Sequence, residues 1–179
     1  MQRLRNCWMK RGDWVKPLLL AAVLCAGTVV ARAQATPDTL LTPAMAQKLL
    51  PSAVYFKGQS ATTQIRNSGG VKFADGAYLL AVMVDTSGYS SEVAQKYQAY
   101  LITEDAIEVG GKPLPAGIYG VGFVGGQFLV LDVGAHTLLS VPTTSDEEMK
   151  RPRPLEITRA DGGYRLYEGR NYVTLTNRD

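Results

Sequence analysis

The chain has 179 residues, 46% of them hydrophobic and 20% charged, with a formal net charge of +3. Of its 19 Lys and Arg and 16 Asp and Glu, six and one lie in the stretch ending at Ala33, which leaves 13 basic and 15 acidic residues after it. That remainder is slightly acidic, so a nucleic-acid partner has no bulk charge to attract it, and none is expected.

Residues 1–35 read as a cleavable secretory signal peptide. Arg3, Arg5, Lys10, Arg11 and Lys16 precede an apolar run over residues 18–31. The run ends in two overlapping small-x-small sites, Ala31-Arg32-Ala33 and Ala33-Gln34-Ala35, with cleavage expected after Ala33 or Ala35. Its 14 residues include Gly27 and Thr28, and a membrane span needs about 20 apolar residues. No membrane span is therefore expected in the mature chain. Cys25 follows Val23 and Leu24, not the small residue of a lipoprotein signal, which argues against lipidation. The absence of a twin-arginine pair points to general secretory export, and the expected location is periplasmic or secreted.

Cys7, Cys25, Trp8 and Trp14 all fall in this leader. The mature chain then has no disulfide, thiolate nucleophile or zinc–thiolate site available to it. Its core alone must hold it, and about 145 residues suffice, because a chain of that size buries roughly 70% of its unfolded surface. One domain is expected.

Residues 36–41 read as a polar linker. A short helix follows, with Thr42 as N-cap, Pro43 at the first helical position, residues 44–50 as its body and Pro51 as its stop. Met45, Leu49 and Leu50 are its predicted buried face, packed on a sheet as a lid or plug. Linker and helix make up residues 36–52, and residues 53–179 form a single β-domain.

Twelve strands are predicted, at 53–57, 61–66, 71–74, 77–85, 97–103, 106–109, 117–124, 127–133, 137–141, 155–159, 164–168 and 171–176. Between them Asn67-Ser68-Gly69-Gly70, Gly110-Gly111, Gly125-Gly126 and Asp161-Gly162-Gly163 read as tight turns. Residues 77–84 do not alternate, which marks a central strand buried on both faces. In residues 164–168, Tyr164, Leu166 and Glu168 share one face while Arg165 and Tyr167 share the other. Interior glycines at 117, 120 and 122 signal either a barrel corner, the favoured reading, or close approach of another backbone. Many short strands with little helix give an all-β fold, an antiparallel β-sandwich or β-barrel with one short N-terminal helix.

Two stretches read as loops. Residues 86–96 are long for a hairpin, with Ser90 or Ser91 able to cap one helical turn, and long loops on rigid scaffolds favour binding. Residues 142–154 run acidic (Asp146, Glu147, Glu148) then basic (Lys150, Arg151, Arg153), and read as a solvated connection with local charge pairing.

Catalytic chemistry finds little support. His136 is the only histidine, so imidazole metal clusters cannot form within one chain. Serines at 60, 87, 90, 91 and 140 lack a nucleophile-elbow pattern, and a structural hydrogen bond accounts for His136. Asp85, Glu104, Asp105, Glu108 and Asp132 stand near strand ends, and a hydrolase would need two of them converging on one cleft. Glu104, Asp105 and Glu108 lack the dense Asp/Asn–Gly spacing of a calcium loop. Gly120-Val121-Gly122 is no dinucleotide fingerprint, and no phosphate loop occurs. No cofactor and no metal is expected.

Tyrosine is the residue type with recognition potential, since all nine lie beyond the leader. Tyr89, Tyr97 and Tyr100 with Asp85, around the long loop, form the candidate ligand-binding set. The run from Gly111 to Tyr119 contains Leu114-Pro115-Ala116-Gly117-Ile118-Tyr119. It resembles an L-P-A-G-x-Y phrase that recurs in exported bacterial β-sandwich proteins, and physically it is a proline-stiffened turn entering a strand. It covers under a tenth of the mature chain, and no family is assigned on it. The expectation is a bacterial exported β-domain of non-enzymatic role, binding a small apolar or saccharide ligand or an envelope protein partner. The alternative is a small envelope hydrolase using carboxylates at strand ends. A carrier would need an interior cavity of roughly 300 Å³ or more.

Overall fold

The computed structural model describes residues 37–178. The leader with Ala33 and Ala35, both cysteines and both tryptophans lie outside the described residues. In chain order the first elements are β1 (Thr39–Leu41), α1 (Pro43–Ala46), β2 (Ala53–Phe56), β3 (Gln59–Lys72), β4 (Tyr78–Val84), α2 (Ser91–Lys96) and β5 (Ala99–Thr103). Then come β6 (Ile107–Val109), β7 (Lys112–Leu114), β8 (Gly117–Val124), β9 (Gln127–Leu131) and β10 (Thr137–Pro142). The last are β11 (Thr144–Ser145), β12 (Arg153–Ala160), β13 (Gly163–Gly169) and β14 (Asn171–Asn177).

Two antiparallel sheets pack face to face as a β-sandwich, so the barrel is not the closure this chain adopts. The large sheet runs β1-β3-β4-β5-β8-β9-β10 with β2 on β3, and the small one runs β12-β13-β14-β6-β7 with β11 on β14. Alternation along each strand supplies the core between them. Leu79, Ala81, Leu101, Val121 and Val130 of the large sheet meet Ile107, Ile157, Leu166, Val173 and Leu175 of the small one.

A second core lies on the outer face of the large sheet. Leu80, Val82 and Val84 of β4, Tyr100 of β5 and Leu131 of β9 are covered there by Ala46 and Leu50, by Val54 and Phe56 of β2, and by Val93 and Tyr97. β4 is therefore buried on both faces, the arrangement its unbroken apolar run predicts. The Gly125-Gly126 hairpin forms as expected, with Val124 opposite Gln127 and φ of 57° and 76° at the two glycines.

Several expectations need correction. Residues 39–41 are strand, not linker, because pairing with residues 70–72 satisfies the edge of β3 while Leu41 enters the second core. The helix is one turn shorter than expected, and Ala46 and Leu50, four apart on one face, are buried. Met45 and Leu49 are 43% and 44% exposed instead. Thr42 holds the N-cap position in extended conformation, but its side chain caps nothing.

Asn67-Ser68-Gly69-Gly70 is not a turn. It lies within the fourteen-residue β3, past an irregularity between Gln64 and Ser68, and the Ser68 hydroxyl donates to the Ile65 carbonyl at 2.6 Å. Gly70 serves close packing, since a Cβ there would stand 2.7 Å from the Leu79 carbonyl oxygen. The glycines of β8 likewise mark close approach instead of a barrel corner. The second loop contains β11, and among the described residues its acidic and basic halves do not pair with each other: Asp146 accepts a hydrogen bond from the Tyr167 hydroxyl at 3.0 Å. Arg153 bonds Glu156 at 3.7 Å. β7, read from sequence as part of a stiff turn, pairs with β6.

Candidate functional site

The tyrosines named from sequence do come together, beneath α2. Ser90 occupies the N-cap position of this helix, and Val93 anchors it on the sheet. Tyr97, at its C-cap, stacks on Phe56 with ring centroids 3.8 Å apart and planes 17° apart. Tyr89 meets Tyr97 edge-on at 5.4 Å, and its hydroxyl is shared between the carbonyls of Phe56 and Gln59 at 3.0 and 3.1 Å. The stack needs the gap that Gly120 leaves between its register partners Tyr100 and Leu131. A Cβ at Gly120 would lie 2.5 Å from the Phe56 ring and 3.0 Å from Tyr97. Gly122 in turn lets the Lys96 carbonyl at the end of α2 press against the sheet.

Tyr97 is 0% exposed and Tyr100 7%, so the aromatic group is an enclosed cluster with Tyr89 half-buried at its edge. Burial pushes the Tyr97 phenol far above the ordinary tyrosine range, and its hydroxyl finds no hydrogen-bond partner among the described residues. Asp85 stands outside the cluster, exposed, where the Ser87 N–H at 3.0 Å holds its carboxyl below the usual range.

Of the other carboxylates, Glu104 and Asp105 stand near the start of β4, while Asp85, Glu108 and Asp132 lie elsewhere. Glu104 accepts the Tyr78 N–H at 2.9 Å at the start of β4, whereas Asp85 follows the end of that strand. The length of β4 separates them, roughly 20 Å for seven residues. Asp105 lies close to Asp75, whose carboxyl is lowered chiefly by the Ala77 N–H at 3.0 Å. Glu108 is on the small sheet, 3.8 Å from Arg178. Asp132 closes the β9–β10 loop on itself, accepting the N–H groups of Gly134 and His136 at 2.9 Å each and lying 3.0 Å from His136 Nδ1. The His136 N–H is the chief reason its carboxyl is lowered. His136 thus serves a turn, and no group of three His, Cys, Asp or Glu that could hold a metal occurs among the described residues. No helix among them is long and apolar enough to cross a membrane.

Sequence reasoning missed the feature that offers space. An open cleft of about 290 Å³ lies between β1 with the start of α1, the irregular part of β3, and the first half of β12. Leu40, Pro43, Leu155 and Ile157 wall it, and Arg66 and Arg153 stand among its lining. The irregularity in β3 lies along it, and Asn67-Ser68-Gly69-Gly70 carries the same composition whether it serves a turn or a strand. Arg66 is exposed and makes no hydrogen bond or ion pair among the described residues.

A second open cleft, of about 330 Å³, contains Asp38, Arg159 and Tyr164, whose polar groups are committed to one another. Tyr164 donates to the Asp38 carboxylate, Arg159 donates to the Asp38 carbonyl at 2.7 Å, and the Ala74 N–H donates to Asp38 at 2.8 Å. Burial, then the Asp38 carboxylate, pushes the Tyr164 phenol up to about 12. This cluster clamps the start of the domain across both sheets.

Comparison with protein-family profiles, with curated proteins and with solved structures returns no match for this chain.

Proposed function

We propose that the chain is an exported bacterial protein whose β-sandwich binds a partner and does not catalyse a reaction, through the cleft bounded by β1, β3 and β12. The leader-like composition of residues 1–35 supports export. The observation that carries the binding reading is the uncommitted guanidinium of Arg66 at a cleft of about 290 Å³ of mixed lining, with Leu40 and Pro43 beside Asn67, Arg153 and Glu156. A buried or half-buried apolar surface with a few convergent polar groups is the usual form of a binding site. None of Asp85, Glu104, Asp105 and Asp132 lines either open cleft, which favours this reading over the hydrolase, whose two acids converge on one cleft.

Native mass spectrometry of the protein purified from the exported fraction of its host tests both halves. The expected mass corresponds to a chain starting at Gln34 or Thr36. Lysine- and carboxylate-directed cross-linking in that fraction is expected to join a partner at Lys150 or Glu156, beside the cleft. A full-length mass overturns export, and cross-links only at sites remote from the cleft overturn its role in binding.

A further inference from the structure

Each sheet contributes one irregular stretch to the cleft lining, and each stretch carries an arginine. In β3, Gln64 pairs with Met83 and Ser68 with Val82, so Ile65, Arg66 and Asn67 stand between residues whose partners on β4 are consecutive. In β12, Arg153 pairs with Gly169 and Glu156 with Tyr167, so Pro154 and Leu155 stand where β13 offers Glu168 alone. Bulges give up ladder bonds to re-aim side chains, and they are over-represented next to active sites. The one in β3 is fixed from within. The buried Ser68 hydroxyl donates to the Ile65 carbonyl at 2.6 Å, and the Asn67 amide donates to the Gln64 side chain at 3.0 Å. Arg66 at its centre is exposed and makes no hydrogen bond or ion pair among the described residues. Arg153 has one contact, with Glu156 at 3.7 Å, too long for a hydrogen bond. Two guanidiniums therefore line one cleft with donors to offer.

The rest of the lining is mixed, and that mixture selects the ligand. Leu155 and Ile157 are buried in the core between the sheets, so the apolar surface on offer comes from Leu40, Pro43 and Pro154. Beside it stand the Thr42 hydroxyl, which caps nothing, and the Asn67 amide and Glu156 carboxylate. Two arginines against one glutamate leave the lining net positive. At about 290 Å³ the cleft stands at the lower end of small-molecule sites, about 300–1,000 Å³. Resting on the cleft reading above, we propose that its ligand is a small hydroxylated anion, a sugar acid or sugar phosphate. Arg66 and Arg153 take the anionic group, whose carboxylate or phosphate oxygens guanidinium forks match. The Thr42 hydroxyl and the Glu156 carboxylate take ring hydroxyls. A wholly apolar anion would cover those two groups without bonding them, which costs affinity. The C–H face of the ring lies against Leu40 and Pro43.

The test is titration of the purified protein with glucuronate, glucose 6-phosphate, glucose and hexanoate, read by amide NMR shifts at Arg66, Asn67 and Glu156. Glucuronate or glucose 6-phosphate is expected to shift these amides saturably, and the tighter of the two identifies the anionic group. Arg66→Gln and Arg153→Gln are each expected to weaken that binding about tenfold, and Thr42→Ala about threefold. All three side chains are exposed, so folding is checked simply by circular dichroism. Glucose or hexanoate binding as tightly as the anionic sugar overturns the proposal. So does binding undiminished in the variant that combines Arg66→Gln with Arg153→Gln. Cleft amides silent toward all four probes, with cross-links at Lys150 or Glu156, overturn the sugar ligand and leave the cleft reading standing. The same silence with cross-links only at remote sites sinks both.

Discussion

Between the two sheets, aliphatic residues at alternate strand positions meet, Leu79, Leu101 and Val130 against Leu166, Val173 and Leu175. On the outer face of the large sheet, two aromatic rings stack over a glycine and hold a six-residue helix in place. The first core distributes its burial over many interchangeable methyl and methylene contacts. The second adds to its aliphatic contacts one close shape match, the Phe56–Tyr97 pair in the gap at Gly120. Distributed packing tolerates volume-conserving changes, whereas a single close fit fails at one atom.

Deleting a large side chain from each core gives the widest test of that difference. Phe56→Ala should cost about 4 kcal/mol and Leu101→Ala about 3 kcal/mol in urea denaturation. Amide exchange should rise across α2 only in the first variant, because Phe56 is what Tyr97 rests on. If both variants loosen the same amides, the two cores form one cooperative unit.

Glycine substitutions sharpen the comparison next. Gly120→Ala should cost about 2 kcal/mol by driving a methyl into the Phe56 ring. Gly125→Ala should cost about 1 kcal/mol for a different reason: its φ is 57°, with nothing within 4 Å of the added carbon. Phe56→Leu should relieve the first variant and leave the second unchanged. Failure of that rescue would show that Gly120 is needed for something other than the ring.

The smallest effects come from a polar group left in each core. On β13, Glu168 shares the inward face of Tyr164 and Leu166, and burial pushes its carboxyl up from 4.5 to about 6. The folded chain therefore holds this proton more tightly than the unfolded chain, so stability falls as pH rises from 4.5 through about 6. Glu168→Gln should abolish that fall and gain about 1 kcal/mol at pH 7, after discount for solvent screening at this half-exposed site. Tyr97→Phe should gain up to about 1 kcal/mol with no such pH dependence, because it removes a buried hydroxyl that lacks a partner. Thermal melts between pH 4 and 8 separate the two patterns; a pH-independent gain for the Glu168 variant would count against its raised carboxyl.

Legibility differed between the cores for physical reasons. Period-two alternation in residues 164–168, and its absence in 77–84, already indicate which faces of these strands meet the core and which strand is buried twice. Glycine is harder to read. At 125 and 126 it makes the expected turn, but at 69 and 70 the same residue lies inside a strand, where packing against Ile157 and Leu79 excludes a Cβ. Composition cannot separate those roles, because the deciding atoms are contributed from far along the chain.

The candidate site follows the same rule. Tyr89, Tyr97 and Tyr100 are grouped as the spacing around the long loop suggests, but enclosure depends on Phe56, more than thirty residues earlier. The cleft draws on residues 40–43, 66–69 and 153–157, three stretches with no shared pattern.

By itself the sequence determined the all-β class, the central buried strand, the glycine hairpin at 125–126 and the disulfide-free core expected beyond the leader. These depend on local period, local φ and composition, all of which are properties of neighbouring residues. Only the tertiary structure decided sandwich over barrel, joined two predicted strands into β3, enclosed the tyrosines and opened the cleft at Arg66. Those outcomes depend on which distant backbones approach within a few ångströms, and short-range pattern carries no record of that.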